Sequence, residues 1–375
     1  MTSKQRARDL GIPLEGKPGP YNAITDVSNV EVGFATVIEG ESVRTGVTAI
    51  HPRGKRDHDP VFGGIFSFNG NGEMTGAAWV EEGGFVECPI CITNSHSVGI
   101  VRDTVIDWQV RNHAMFQKWS LPVVAETADG WLNDMNGFHV KPEHVMQALD
   151  TASSGPVPEG NVGGGTGMIC YEFKGGTGTC SRKLPEKLGG YTIGALVQAN
   201  FGRRYQLTVA GVPVGQHLTE DAIFTGGENP FREQGSLIVI LATDAPLLPY
   251  QLKRVAKRAA LGMARTGSLG GNGSGDIFLA FSTANRGVAT PGHALPAPVP
   301  QSQVSSVEAP GLGCVQILPN DHLDPIFAAA ALATEEAILN AMLAAETMIG
   351  KDGLRVSALP HERLQAVLRQ YNRLV

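Results

Sequence analysis

The apolar positions of the chain fall mostly into short runs, with helical spacing confined to a few segments. The most strongly apolar run is Leu237-Ile238-Val239-Ile240-Leu241-Ala242. Gly235 bounds it upstream and Asp244-Ala245-Pro246 downstream, so it predicts a buried strand. The pattern over 27–38 alternates as a strand or hairpin, and 44–51, 65–68, 90–93 and 121–126 read as further strands. Asn69-Gly70-Asn71-Gly72 is a turn signal, after which 75–80 is expected to return antiparallel. Strands are also expected at 168–173, 177–182, 191–200, 206–213 and 277–282.

Helical spacing appears where Asn94, Ser95 and Ser97 offer caps to a segment reaching about His113, with Val98, Val101, Val105, Ile106, Trp108 and Val110 as its apolar positions. Pro142 is placed early in a second helix, 142–152. A basic helix is expected over 250–266, a long Ala-rich one over 324–349 and a last one over 361–373. Residues 1–24 read as an arm on the surface or on a neighbour, and 291–303 as a Pro-rich loop or subunit-contacting arm. Strands joined by hairpins and helices in pairs argue against a doubly wound parallel sheet. They favour an α+β fold of two packed sheets with helices outside. No internal repeat is visible, and residues 1–375 read as one domain.

Composition narrows the function classes. Apolar residues make up 42% of the chain, enough for a large core, while charged residues make up 18% and the net charge is −6. No basic stripe is present, so nucleic acid is not an expected partner. The first residues lack the apolar run of a signal peptide, and no uninterrupted apolar stretch reaches ~18 residues. No membrane span is expected, and the chain reads as cytoplasmic. The five cysteines read as reduced thiols, since their number is odd. Cys88-Pro89-Ile90-Cys91 has redox spacing, but its flanks are not thioredoxin-like and no second pair completes a zinc site.

The candidate chemistry centres on Gly235-Ser236. A serine stands where a loop rich in turn formers, Thr225-Gly226-Gly227-Glu228-Asn229-Pro230 upstream, enters a core strand. Breaking the Gly235–Ser236 bond would place a hydroxyl and an α-amine on one residue. The amine, with a pKa near ~8, is a local base for the hydroxyl nucleophile. The alternative is an ordinary Gly-Ser turn.

Four other features accompany it. The Gly-rich segment 160–167 has no following Lys-Ser/Thr and opens no helix, so it is not a phosphate loop. Either Gly164 and Gly165 bring backbone N–H groups close to a substrate or oxyanion, or the segment is a turn. Ser274 and Asp276, two apart at the entry to a strand, share a face; both meet the Ser236 hydroxyl if the strands adjoin. Ser274 would then orient or relay a proton and Asp276 supply negative charge, the alternative being an ordinary loop. Glu126 and Asp129 end a strand, where Glu126 either holds a substrate ammonium or is merely solvated. Asn200 ends the run 195–199, where its amide would need partners and could donate to an oxyanion. No histidine pair has metal-ligand spacing, His96 reads as structural, and no cofactor or metal is expected.

Several segments together resemble the L-aminopeptidase/D-amino-acid esterase family, which includes the β-peptidyl aminopeptidases. They are Tyr21-Asn22-Ala23-Ile24-Thr25-Asp26-Val27, Asn69-Gly70-Asn71-Gly72-Glu73-Met74-Thr75-Gly76, Thr93-Asn94-Ser95-His96-Ser97-Val98-Gly99, residues 159–168, Gly235-Ser236-Leu237-Ile238-Val239 and Gly273-Ser274-Gly275-Asp276-Ile277-Phe278. The resemblance implies a four-layer α-β-β-α sandwich, similar to N-terminal-nucleophile hydrolases but differently connected. It implies self-cleavage into 1–235 and 236–375, which stay together. It carries Ser236 over as nucleophile, Ser274 and Asp276 as the serine and acid near it, Asn200 as oxyanion donor and Glu126 as a residue near the substrate amine. Small peptides, amino-acid amides and esters are the implied substrates, and a homotetramer the implied assembly. One position departs from the pattern: Ala128 stands where a tyrosine hydroxyl is expected. The competing readings are an acyltransferase on the same scaffold, which the serine at the junction disfavours, and an inactive or processing-impaired relative, which Ala128 keeps open.

Overall fold

Most of the expected strands form, and they sort into two sheets that face each other. The computed structural model describes residues 4–224, 234–289 and 313–374. The turn expected at 225–230 and the Pro-rich segment 291–303 lie outside them. In chain order the first elements are β1 (Glu31–Glu39), β2 (Val43–His51), β3 (Val61–Gly70), α1 (Ala77–Gly83), β4 (Phe85–Val86), β5 (Ile90–Thr93), α2 (Val98–Arg111), β6 (Val123–Glu126) and α3 (Pro142–Asp150). They are followed by β7 (Ile169–Cys170), β8 (Phe173–Lys174), β9 (Gly176–Lys183), β10 (Thr192–Asn200), the one-turn α4 (Val214–His217), β11 (Gln234–Thr243), α5 (Pro249–Ala256), α6 (Ala259–Arg265) and β12 (Gly273–Ser282). The last are α7 (Asp324–Leu343), β13 (Met348–Ile349), β14 (Arg355–Val356) and α8 (His361–Gln370).

One sheet has the order β1-β2-β5-β6 and the other β4-β3-β12-β11-β10-β9. Within them β5–β6 and β11–β12 run parallel, and the other pairs are antiparallel. Alternation along β11 explains how two of the cores arise. Ile238, Ile240 and Ala242 point between the sheets, where they meet Ile50, Ile90, Ile92 and Val123. Leu237, Val239 and Leu241 point the other way, into a core with Leu252, Met263 and Ile338 of α5, α6 and α7. Val101, Val105, Val145 and Leu149 of α2 and α3 cover the outer face of the four-stranded sheet. The layers are therefore α-β-β-α, and β11, buried on both faces, reads as a continuous apolar run.

Helix α7 is long and apolar enough to cross a membrane by length and composition, but its buried residues include Glu335, Glu336 and Asn340. Glu336 accepts from Arg182 Nη2 at 2.7 Å and from Arg8 Nη2 at 2.9 Å. This helix is the inner member of a protein layer. The amino-terminal arm is bound to the same place: Ala7, Leu10 and Ile12 are buried in the α7 core rather than lying on the surface.

Several elements differ from the periodic pattern. Residues 75–80 do not return as a strand. Gly76 takes φ +69° and opens α1 instead, and a Cβ there would lie 2.7 Å from the Leu121 carbonyl oxygen. The 168–173 segment folds back as the β7–β8 hairpin, and 206–213 contains only the isolated bridge Val209–Val212. The basic helix is split into α5 and α6, and α7 ends at Leu343, before the short strand β13. These are places where tertiary contacts override a local pattern that short apolar runs leave ambiguous.

Candidate active site

Ser236 is the third residue of β11, at the end of the inter-sheet space. It pairs with Asn200 across the antiparallel β10–β11 ladder and with Gly275 across the parallel β11–β12 ladder. Its side chain continues the Ile238–Ile240 row, toward the four-stranded sheet. A cavity of about 470 Å³ opens there, lined among others by Ser236, Asn200, Glu126, Ala128, Trp131 and Phe224. Ser236 is 4% exposed, and its hydroxyl donates to its own preceding carbonyl, Gly235 O, at 2.7 Å.

Asn200 leaves the sheet on the same face as Ser236, because directly opposed antiparallel residues do so. Its Oδ1 accepts from the Ile169 N–H at 2.9 Å, and its Nδ2 donates to the Ala128 carbonyl at 2.9 Å. These two bonds fix which end of the carboxamide is the donor, and they use one of its two N–H bonds. Close approach of strands is built into the site. A Cβ on Gly235 would stand 2.3 Å from Asn200 O, and one on Gly275 would stand 2.4 Å from Asn71 O.

Glu126 ends β6 on the opposite sheet. Its Oε2 accepts from the Ser95 hydroxyl, and its Oε1 accepts from the Glu73 N–H at 2.9 Å. The residue is 5% exposed. Burial raises its pKa, against which the Ser95 and Glu73 donors act. The arrangement is a carboxylate facing Ser236 across a cavity, suited to a cationic group on a ligand. Beside it, Trp131 and Phe224 meet edge to face with ring centroids 4.9 Å apart, giving the cavity an apolar wall.

Ser274 and Asp276 do share a face, as their spacing requires: Ser274 Oγ donates to Asp276 Oδ1 at 2.8 Å. The face is not the one expected. Asp276 pairs in register with Leu237, and Phe278 and Ala280 continue its row into the core shared with Leu237. Ser236 points the other way, so the pair does not meet its hydroxyl. Asp276 instead accepts from Asn69 Nδ2 at 2.9 Å. Burial raises its pKa, and these donors oppose the shift. Ser274 is the register partner of Gly235, so the pair flanks the Gly235–Ser236 peptide from the next strand.

Gly164 and Gly165 are not brought to the cavity. Both are buried in a 3-10 turn, where the Gly164 N–H donates to Thr48 Oγ1 at 3.1 Å and the Gly165 N–H donates to Val162 O at 3.0 Å. A Cβ would fall 2.2 Å from Gln198 Oε1 at Gly164 and 2.2 Å from Thr177 N at Gly165. These glycines serve packing of the turn against both sheets. Cys88 and Cys91 are buried free thiols, and burial pushes the Cys88 thiol up to about 12. Cys88 packs in the inter-sheet core and Cys91 in the core under α2 and α3.

Ser95, Asn71 and Phe224 line the cavity without having been singled out from the sequence. The Asn94-Ser95 cap and the Asn71-Gly72 turn were legible as local structure, but nothing local indicated that either would border Ser236. Phe224 carried no signal.

Residues 22–356 match peptidase family S58. A β-peptidyl aminopeptidase BapA of Sphingosinicella microcystinivorans is 53% identical, covering 98% of this chain and 93% of its own length. One of Sphingosinicella xenopeptidilytica is 44% identical over 97% and 91%. Among solved structures, the L-aminopeptidase D-Ala-esterase/amidase of Ochrobactrum anthropi aligns with a TM-score of 0.87 at 50% identity, covering 99% of this chain and 100% of that one. That protein is described as a prototype of the serine aminopeptidases and a variant of the N-terminal-nucleophile hydrolase fold.

Proposed function

The chain belongs to peptidase family S58 and is an aminopeptidase of the N-terminal-nucleophile type, and from that premise we propose that Ser236 is its nucleophile, released by cleavage of its own Gly235–Ser236 bond. The observation that carries the reading is the pairing of Ser236 with Asn200 on one face, at a cavity whose far side presents Glu126.

In the maturation step the Ser236 hydroxyl attacks the Gly235 carbonyl carbon. The Oγ–C bond forms, the C–N bond breaks, and the hydroxyl proton passes to the Ser236 nitrogen. Water then hydrolyses the ester, leaving a Gly235 carboxylate and a Ser236 with free hydroxyl and amine. The chain becomes 1–235 and 236–375, held together because β10, β11 and β12 share one sheet.

In turnover the Ser236 α-amine takes the hydroxyl proton as Oγ attacks the substrate carbonyl. The remaining N–H of Asn200 Nδ2 donates to the oxyanion, a charge that develops only in the transition state. The proton passes to the leaving amine or alcohol, and water resolves the acyl-enzyme. Glu126, held by Ser95 and the Glu73 amide, binds the substrate ammonium and so selects free amino termini. Ser274 and Asp276 position the Gly235–Ser236 peptide from β12, rather than touching the hydroxyl. Substrates of this reading are small peptides and amino-acid amides and esters, and its assembly is a homotetramer. Denaturing electrophoresis with intact mass tests it: wild-type protein should give the fragments 1–235 and 236–375, and Ser236→Ala a single inactive chain. Cleavage or turnover persisting in Ser236→Ala would reject it.

A further inference from the structure

The hairpin β7–β8 carries strain that the fold does not need in order to turn. Its two-residue turn is Tyr171-Glu172, and both residues have positive φ, +51° and +62°. This is the geometry that Asn-Gly or Gly-Gly ordinarily supplies, and for bulky side chains it costs free energy. Such outliers persist where surroundings over-determine them, and they cluster at functional sites. Here the surroundings are specific. Tyr171 is held by its hydroxyl against Thr266 Oγ1 at 2.7 Å and by its N–H donating to Phe201 O at 2.7 Å. Glu172, 3% exposed, points its carboxylate at the backbone of Phe224.

Phe224 is held through both its backbone and its ring. Its N–H donates to Glu172 Oε2 at 3.2 Å. Its carbonyl accepts from Arg203 Nη2 at 3.0 Å. Arg203 in turn donates through Nε to Glu172 Oε1 at 2.9 Å, and its guanidinium lies 5.8 Å from the centre of the Phe224 ring. The far side of the ring meets Trp131, which is 51% exposed. Without the carboxylate, the Phe224 amide and the guanidinium lose their common acceptor, and Arg203 is no longer fixed against the Phe224 carbonyl.

We propose that Glu172 and Arg203 are positioning residues that fix Phe224 as the side-chain wall of the substrate cavity. The enzyme thereby favours substrates whose amino-terminal residue carries an apolar side chain long enough to reach the Phe224–Trp131 pair. The inference rests on the reading that Ser236 is acylated while Glu126 holds the amine, because those two points aim the side chain at this wall.

The test compares leucine and alanine p-nitroanilides on matured protein carrying Phe224→Ala, Glu172→Gln or Glu172→Gly. The ratio of kcat/KM for leucine over alanine should fall about tenfold, within the range that apolar pocket contacts command. The fall should come through KM of the leucine substrate. Glu172→Gly suits the positive φ but removes the acceptor of Arg203 and of the Arg204 N–H, so its folding is checked by melting temperature, and the folded protein should still lose selectivity. An unchanged ratio in the Glu172 variants, or a loss of kcat on both substrates at constant KM, overturns the proposal. Ser236→Ala measured alongside separates the two readings: activity surviving there rejects the nucleophile assignment, whereas an inactive Ser236→Ala with an unchanged Glu172→Gln ratio rejects only the latch.

Discussion

Ser236 and Asn200 are partners across the antiparallel β10–β11 ladder, and their side chains enter one cavity from one face of the sheet. The Asn200 carboxamide is oriented before any substrate arrives, by the Ile169 N–H on its oxygen and the Ala128 carbonyl on its nitrogen. A donor held in this way needs no reorganisation as charge develops. Asn200→Ala should therefore lower kcat by about 10²–10³, the usual loss for one oxyanion donor, with KM changing little. Steady-state kinetics on an alanine amide checks this, and an effect confined to KM would contradict it.

Gly235 is required by the approach of β10, since an added Cβ would stand 2.3 Å from Asn200 O. Gly235→Ala should push the Gly235–Ser236 peptide, the proposed cleavage site, out of register with Asn200. Maturation should slow, with the uncleaved chain accumulating in intact mass spectra taken over time. Wild-type maturation rates in this variant would show that the contact is tolerated.

Glu126→Gln keeps the shape and removes the charge. Hydrogen bonds to charged groups contribute about 1.5–3 kcal/mol, so KM for amino-acid amides should rise about tenfold or more. Esters lacking the amine should be affected far less. Because burial raises the Glu126 pKa, the ammonium site should be lost on acidification at a higher pH than an ordinary carboxylate would give. A KM–pH profile for amine-bearing and amine-free substrates reads this directly.

Asp129 is buried beside Ala128, and its Oδ1 accepts from Asn133 Nδ2 at 3.0 Å. Burial pushes its carboxyl from 3.8 up to about 6. The folded protein therefore holds this proton more tightly than the unfolded chain does. The resulting stability is present below about pH 4 and is lost as pH rises toward 6. Relative to Asp129→Asn, the wild type should lose roughly 2 kcal/mol across that window, because a tenfold change in proton affinity on folding corresponds to about 1.4 kcal/mol. Denaturant unfolding of both proteins at pH 4 and 6.5 measures the difference, and a pH-independent gap would exclude the linkage.

Ala128 is exposed on the cavity wall, so a larger side chain has room there. Ala128→Tyr should preserve the melting temperature and add a hydroxyl donor, raising kcat on alanine substrates. Ala128→Phe, with the same bulk and no hydroxyl, should not. Equal kcat in the two variants would mean that the site does not use a donor at this position.

Much of this molecule is local information. The strand β11 was legible because an apolar run between Gly235 and Asp244 has few other solutions, and Ser236 was legible as its entry. The Ser274–Asp276 contact followed from the two-residue period of a strand. The α-β-β-α layering followed from the mixed order of elements, reinforced by family resemblance. What the pattern could not supply was parity between strands distant in the chain. The parallel register sets Asp276 beside Leu237, so the pair faces away from the Ser236 hydroxyl that it was expected to meet. The same kind of decision put Glu126 within reach of Ser95 and buried Gly164 and Gly165 under Gln198 and Thr177, away from the cavity. It also joined Glu172 to Phe224 across a loop. Periodicity says which residues share a face; only the pairing of strands, where a shift of one residue exchanges the faces, decides what that face looks at.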